Sequence, residues 1–276
     1  MNQEESLLET NPSFADNHGD APEGLAFDLA GVSVDLATEG GKLSILQDVN
    51  FAMKTGEIVG IVGRSGTGKT TLLRVLGGLL APTSGVARVY GQAIDGPPAT
   101  VVTVFQDYGN ALLPWRTVAR NVGLGLERTM SKAEREARVD EALKMVGLHS
   151  RGNEFPWRLS GGMQQRVQIA RALAMRPRIL LMDEPFGALD AMTKAALQDE
   201  LLKVKEQTGA TILFITHDMD EAVYLSDRVF VIAGSPGTLT LQYDVDLARP
   251  RHQINTRELP AYLAARHELA LALEVE

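Results

Sequence analysis

Apolar residues recur along the chain in two periods, and the switching between them predicts the architecture. Leu25–Val34 and Ile45–Met53 alternate loosely in the two-residue rhythm of half-buried strands, with Glu39-Gly40-Gly41 as the turn between them. Glu57–Val62, Val101–Phe105, Arg178–Asp183 and Thr211–Thr216 are short and almost wholly apolar, the texture of strands covered on both faces. Helical spacing predicts helices over Lys69–Leu80, Thr117–Leu126, Ser131–Val146, Gly162–Met175, Met192–Gln207 and Met219–Leu225. The run Ala81-Pro82-Thr83-Ser84-Gly85 stops the first of these, and Ser131 with Glu134 forms a capping box for the third. Strands near Val229–Ile232 and Thr238–Tyr243 follow, then a helix over Pro260–Leu271 with its proline in the first turn. Buried strands separated by helices predict an α/β fold with a mostly parallel central sheet, preceded by an antiparallel β part. The helix-rich run at about 107–176 interrupts the alternation and reads as an inserted helical subdomain, within a main domain spanning 24–235. Residues 236–276 read as a β/helical extension packed on that core.

Composition narrows the chemistry. The 276 residues include no Cys, which excludes disulfide scaffolds, thiolate metal sites and cysteine nucleophiles. No apolar run reaches the ~18–20 residues of a bilayer span, and MNQEESLLETNPSF lacks the basic and apolar regions of a signal peptide. The net charge of −8 belongs to one end: residues 1–41 hold nine acids and no Lys or Arg, leaving 26 acids and 27 bases from Lys42 onward. Residues 1–23 therefore read as an acidic disordered tail, and the balanced remainder argues against a nucleic-acid partner. His18, His149, His252 and His267, and the Arg249-Pro250-Arg251 cluster, read as solvated surface.

Between a buried strand and a helix lies Gly63-Arg64-Ser65-Gly66-Thr67-Gly68-Lys69-Thr70, a complete G-x-x-x-x-G-K-[ST] phosphate loop running into Thr71. Its glycines let backbone N–H groups turn toward phosphate oxygens at a helix N-terminus. Lys69 is placed to neutralise the β/γ-phosphates of ATP, and the Thr70 hydroxyl to bind Mg²⁺. Asp183 and Glu184 end an apolar strand, and in a parallel sheet the C-terminal strand ends line the ligand crevice. Asp183 suits the metal, directly or through water, and Glu184 suits polarisation of the attacking water. His217 and Gln106 end two further strands at the same edge. His217 is suited to the γ-phosphate or the water, and Gln106 to Mg²⁺ or water while its backbone starts the helical subdomain.

Leu159-Ser160-Gly161-Gly162-Met163-Gln164-Gln165-Arg166 resembles the signature motif of ATP-binding-cassette ATPases. With Gln106, Ala188-Leu189-Asp190 and His217 in order, the resemblance covers roughly residues 25–235. It implies that Ser160, Gly161, Gly162 and Gln164 meet the γ-phosphate held by a second subunit, in a head-to-tail homodimer with two ATP at the seam and Asp190 linking the sites. It implies an adenine contact at Leu36, where the family usually carries an aromatic residue, and hence weaker adenine selectivity.

Leu113-Pro114-Trp115-Arg116-Thr117-Val118 resembles importer ATPases for aliphatic sulfonates, taurine and nitrate. The resemblance implies two integral-membrane permease subunits docking at Leu113 and Trp115, an extracytoplasmic solute-binding protein, and a peripheral position on the cytoplasmic face of the membrane. The expected cargo is an aliphatic sulfonate, ahead of taurine, nitrate or a pyrimidine precursor of thiamine. The competing class, a cassette ATPase acting on ribosomes or DNA, usually has two cassettes or a long coiled-coil insertion. Here 113 residues separate Lys69 from Asp183, and one phosphate loop is present.

Overall fold

The computed structural model describes residues 24–38, 41–106 and 111–274. The acidic tail, the tip of the first turn and the stretch directly after Gln106 lie outside the described residues. Two sheets form. The first is antiparallel: β1 (Leu25–Thr38), β2 (Gly41–Lys54), β4 (Ser84–Val89) and β5 (Gln92–Ala93) lie in the order β2-β1-β4-β5. The second contains β3 (Ile58–Val62), β6 (Val101–Val104), β7 (Ile179–Asp183), β8 (Thr211–Ile215), β9 (Arg228–Ala233) and β10 (Thr238–Asp244), in the order β10-β9-β3-β8-β7-β6. Its pairs are parallel except β10 with β9. The α/β class and the antiparallel N-terminal part match the sequence reading.

The wholly apolar strands are explained by two cores. Along β3, Ile58 and Val62 face one and Val59 and Ile61 the other; β8 divides the same way, Ile212 and Phe214 against Leu213 and Ile215. One core fills the space between the sheets around α1 (Lys69–Leu76). The other lies under α4 (Gly161–Ala174), α5 (Ala191–Thr208), α6 (Met219–Leu225) and α7 (Pro260–Glu274). Between β6 and β7 the chain is helical, with α2 (Val118–Val122), α3 (Lys132–Met145) and α4 in mutual contact. Ser131 and Glu134 cap α3 reciprocally.

β1, β2 and α7 run longer than the periodic pattern, and three other departures have a local cause. α1 stops at Leu76 rather than Leu80, because Gly78 adopts φ +68° and passes so close to Gly96 that a Cβ would sit 2.1 Å from its carbonyl oxygen. The helix expected over Thr117–Leu126 is α2 followed by a 3₁₀ turn over Gly123–Leu126. Strand β4 begins at Ser84 and Gly85, the end of the run read as a stop; Ala87 and Val89 are buried with Arg88 between them, a signal confined to a strand only six residues long.

The Arg249-Pro250-Arg251 cluster is not solvated surface. Arg251 is only 6% exposed, and its Nη1 donates to the carbonyls of Tyr224 at 2.8 Å and Ser226 at 2.9 Å, closing the C-terminus of α6. Burial, and secondarily the charge of Arg249, pushes the Arg251 guanidinium down to about 10. The helix dipole and two orphan carbonyls account for a buried cation there. Arg251→Met is expected to cost about 3 kcal/mol, because carbonyls left buried without donors lose their full hydration. Urea unfolding of the two proteins measures it.

Candidate functional site

The phosphate loop lies between β3 and α1, and its shape follows from its glycines. Gly66 and Gly68 have φ +88° and +89°, where a side chain is strained. A Cβ on Gly63 would lie 2.2 Å from the Ile232 carbonyl, so the loop rests directly on β9. Lys69 is buried, and its Nζ donates to the carbonyls of Gly63 at 2.7 Å and Arg64 at 2.6 Å, along the inside of the loop. Burial lowers its proton affinity, opposed by the charges of Glu184 and Asp183.

The strand ends bring the acids to that loop. Thr70 Oγ1 donates to Asp183 Oδ2 at 2.8 Å. Burial raises the Asp183 carboxyl above its ordinary value, the Thr70 hydrogen bond opposes this, and the charge of Glu184 adds to it. Glu184 follows with a left-handed backbone, φ +46°, so its carboxylate departs from the strand direction. Gln106 Nε2 donates to Glu184 Oε2 at 2.8 Å, and His217 Nδ1 lies 3.3 Å from Glu184 Oε1. Strand-end groups from β6, β7 and β8 thus meet on one carboxylate. Mg²⁺ keeps several waters and needs only one or two protein ligands beside phosphate oxygens, so the Thr70 hydroxyl and the Asp183 carboxylate suit it, while the Gln106 amide is engaged with Glu184. Among the described residues no cluster of three or more His, Asp and Glu would hold a metal without a phosphate.

The signature segment begins α4. Ser160 is its N-cap, accepting from the Met163 N–H, and both Ser160 and Gly161 are exposed. A Cβ on Gly161 would meet nothing within 4 Å, whereas one on Gly162 would press on the Ala188 carbonyl at 3.0 Å. Gln164 is directed differently from the sequence expectation: its amide donates to the carbonyls of Pro156 and Leu159, bracing the loop that enters α4. Asp190 is exposed and caps α5 by accepting from the Thr193 N–H. Leu36 lies exposed on β1, paired with Leu43, and Thr71 lies in the first turn of α1.

Trp115 is 72% exposed at the rim of a groove lined by Arg116, Arg120, Glu127, Lys132 and Arg135. Leu113 is not part of that groove; it is half-buried, and its backbone N–H and carbonyl are both held by the Asn121 side chain. The residues missed from sequence are supports. Gln165, fully buried, donates to the Glu184 carbonyl at 3.1 Å and accepts from the Ala188 N–H at 3.2 Å, tying α4 to the turn that carries Glu184. Lys194 pairs with Asp218 and Glu221. Only its position one helical turn after Asp190 hinted at it.

Fold and site together define a phosphate-loop nucleotide-binding domain with a strand-end carboxylate pair. The chain belongs to the ABC transporter family, which it matches over residues 46–187. It is 44% identical over 236 residues to the bicarbonate transport ATP-binding protein CmpC of Synechocystis sp., covering 84% of this chain and 35% of CmpC. It therefore spans about a third of the length of that relative. The nitrate transport protein NasD of Klebsiella oxytoca is 42% identical over 246 residues, covering 87% of this chain and 93% of NasD. Among solved structures, the ATP-binding cassette MJ0796, dimeric in a post-hydrolysis state with ADP and Pi, matches with a TM-score of 0.72 at 33% identity, over 79% of this chain and 98% of that one.

Proposed function

We propose that this chain is the ATP-hydrolysing subunit of an importer for a small anion, nitrate or bicarbonate, working as a homodimer beneath two permease subunits fed by a solute-binding protein. The convergence of Gln106, Glu184 and His217 beside the phosphate loop carries this reading. The names of CmpC and NasD favour nitrate or bicarbonate over the aliphatic sulfonate suggested by residues 113–118. Among the described residues no helix is long and apolar enough to cross a membrane.

The residues divide the work. Loop N–H groups and Lys69 hold the phosphates, and Thr70 and Asp183 would hold Mg²⁺ with Gln106 near. A Mg²⁺ held there would neutralise charge on the β/γ-phosphates. Glu184 accepts the proton of the attacking water, oriented by the Gln106 amide on one oxygen and His217 on the other. Ser160 and Gly161 present an exposed helix N-terminus to the partner's γ-phosphate, and Asp190 stands at the seam. Leu36 packs on adenine, and the groove at Trp115 receives the permease.

Uptake of labelled nitrate, bicarbonate and an alkanesulfonate in cells lacking this subunit tests the reading. Loss of nitrate or bicarbonate uptake is expected. Loss of sulfonate uptake alone would return the cargo to sulfonates, and persistence of all three would overturn the importer assignment.

A further inference from the structure

His217 occupies a turn whose conformation is held by charge supplied from another element. The turn lies between Thr216 and the N-cap of α6, Asp218, and its own side chain is 67% exposed. Asp218 Oδ1 accepts from the N–H groups of Asp220 at 2.8 Å and Glu221 at 3.2 Å. Thr216 Oγ1 accepts from the Asp218 N–H at 3.0 Å and donates to Glu221 Oε2 at 2.5 Å. These bonds bring two carboxylates together, and Glu221 is only 2% exposed. A buried carboxylate beside a second one is unfavourable unless a cation answers both.

That cation is Lys194 of α5. Its Nζ lies 2.6 Å from Asp218 Oδ2 and 2.5 Å from Glu221 Oε1. Burial opposes the lysine's charge, but its hydrogen bonds to Asp218 and Glu221 prevail and hold it above its ordinary value. The same helical turn begins at the exposed Asp190, whose carbonyl accepts from the Lys194 N–H at 2.8 Å. Lys194, Leu189, Asp218, His217 and Glu184 line one cleft. A continuous bonded path therefore runs from Asp190 through the α5 backbone and Lys194 to the turn whose histidine stands 3.3 Å from Glu184.

We propose that Lys194 is a positioning residue for hydrolysis: by bridging Asp218 and Glu221 it holds the His217 turn against Glu184 and links that turn to the N-terminus of α5. This rests on the ATP-hydrolysis reading of the site. Steady-state ATP hydrolysis and equilibrium ATP binding by the full chain test it together, with melting temperatures as the check on folding. Lys194→Met is expected to lower kcat about 30-fold and leave nucleotide affinity within about twofold, while Lys194→Arg stays within about threefold of the original kcat.

Lys194→Met leaves a buried carboxylate unanswered, so the charge-neutral pair Lys194→Met with Glu221→Gln carries the test if the single variant does not fold. The pair is expected to remain at least about tenfold slow, because Asp218 is still untied. The proposal is overturned by a Lys194→Met kcat within about threefold of the original, by an affinity loss as large as the kcat loss, or by full recovery in the pair. Failure of the unmodified chain to bind or hydrolyse ATP would overturn the underlying reading instead.

Discussion

Glu184→Gln is expected to lower ATP turnover by about three orders of magnitude while ATP remains bound. The substitution keeps the volume and the left-handed turn but removes the group proposed to accept a proton from water. Gln106 and His217 approach different oxygens of Glu184, so the replacement amide is expected to stay in place and the lost activity to report basicity rather than collapse. The change also removes a negative charge that raises Asp183, so the fold is expected to be as stable or slightly more so. Single-turnover hydrolysis and a melting curve check both. Turnover within tenfold of the unmodified protein would move the base to another residue.

Lys69→Ala has the second large effect, on affinity rather than chemistry. Nζ lies inside the phosphate loop on the carbonyls of Gly63 and Arg64, in a buried position that disfavours its charge until anionic oxygens arrive. Phosphate oxygens would supply an anionic partner beside those carbonyls, so that binding regains what burial costs. Deleting the ammonium leaves loop carbonyls facing phosphate and is expected to weaken ADP and ATP binding by about 100- to 1,000-fold, since a charge-assisted pair in a desolvated site is lost. Titration calorimetry measures the loss; affinity within threefold would place the phosphates elsewhere.

The positions of both residues, one at the phosphate loop and one at a strand end, were legible before the fold was known, and for a physical reason. Phosphate binding demands glycines with positive φ at fixed spacing beside a lysine, and few other sequences meet that demand. The strand-end acids were legible because apolar runs of five residues mark the parallel strands, and their last residues share one edge. The supports were hidden. Gln165, Lys194 and Arg251 are polar residues that reach partners 19 to 28 positions away in sequence. Only the packing of α4, α5 and α6 brings them to buried carbonyls and carboxylates. An Arg-Pro-Arg run looks solvated until a helix end is found above it. Gln164 and Leu113 show the converse: a motif locates a segment, whereas side-chain direction depends on neighbouring backbone. β4 escaped because six residues after a glycine turn resemble a loop as much as a strand.

The proposed function requires two copies of this chain to close on ATP, each phosphate loop facing the other's Ser160–Gly162. Light scattering of Glu184→Gln at fixed protein concentration, with ATP, with ADP and without nucleotide, tests it most directly. A species of twice the monomer mass with ATP alone, lost when Ser160→Arg fills the exposed helix end, is the predicted result. A monomer under all three conditions, or a dimer indifferent to nucleotide and to Ser160→Arg, would contradict it.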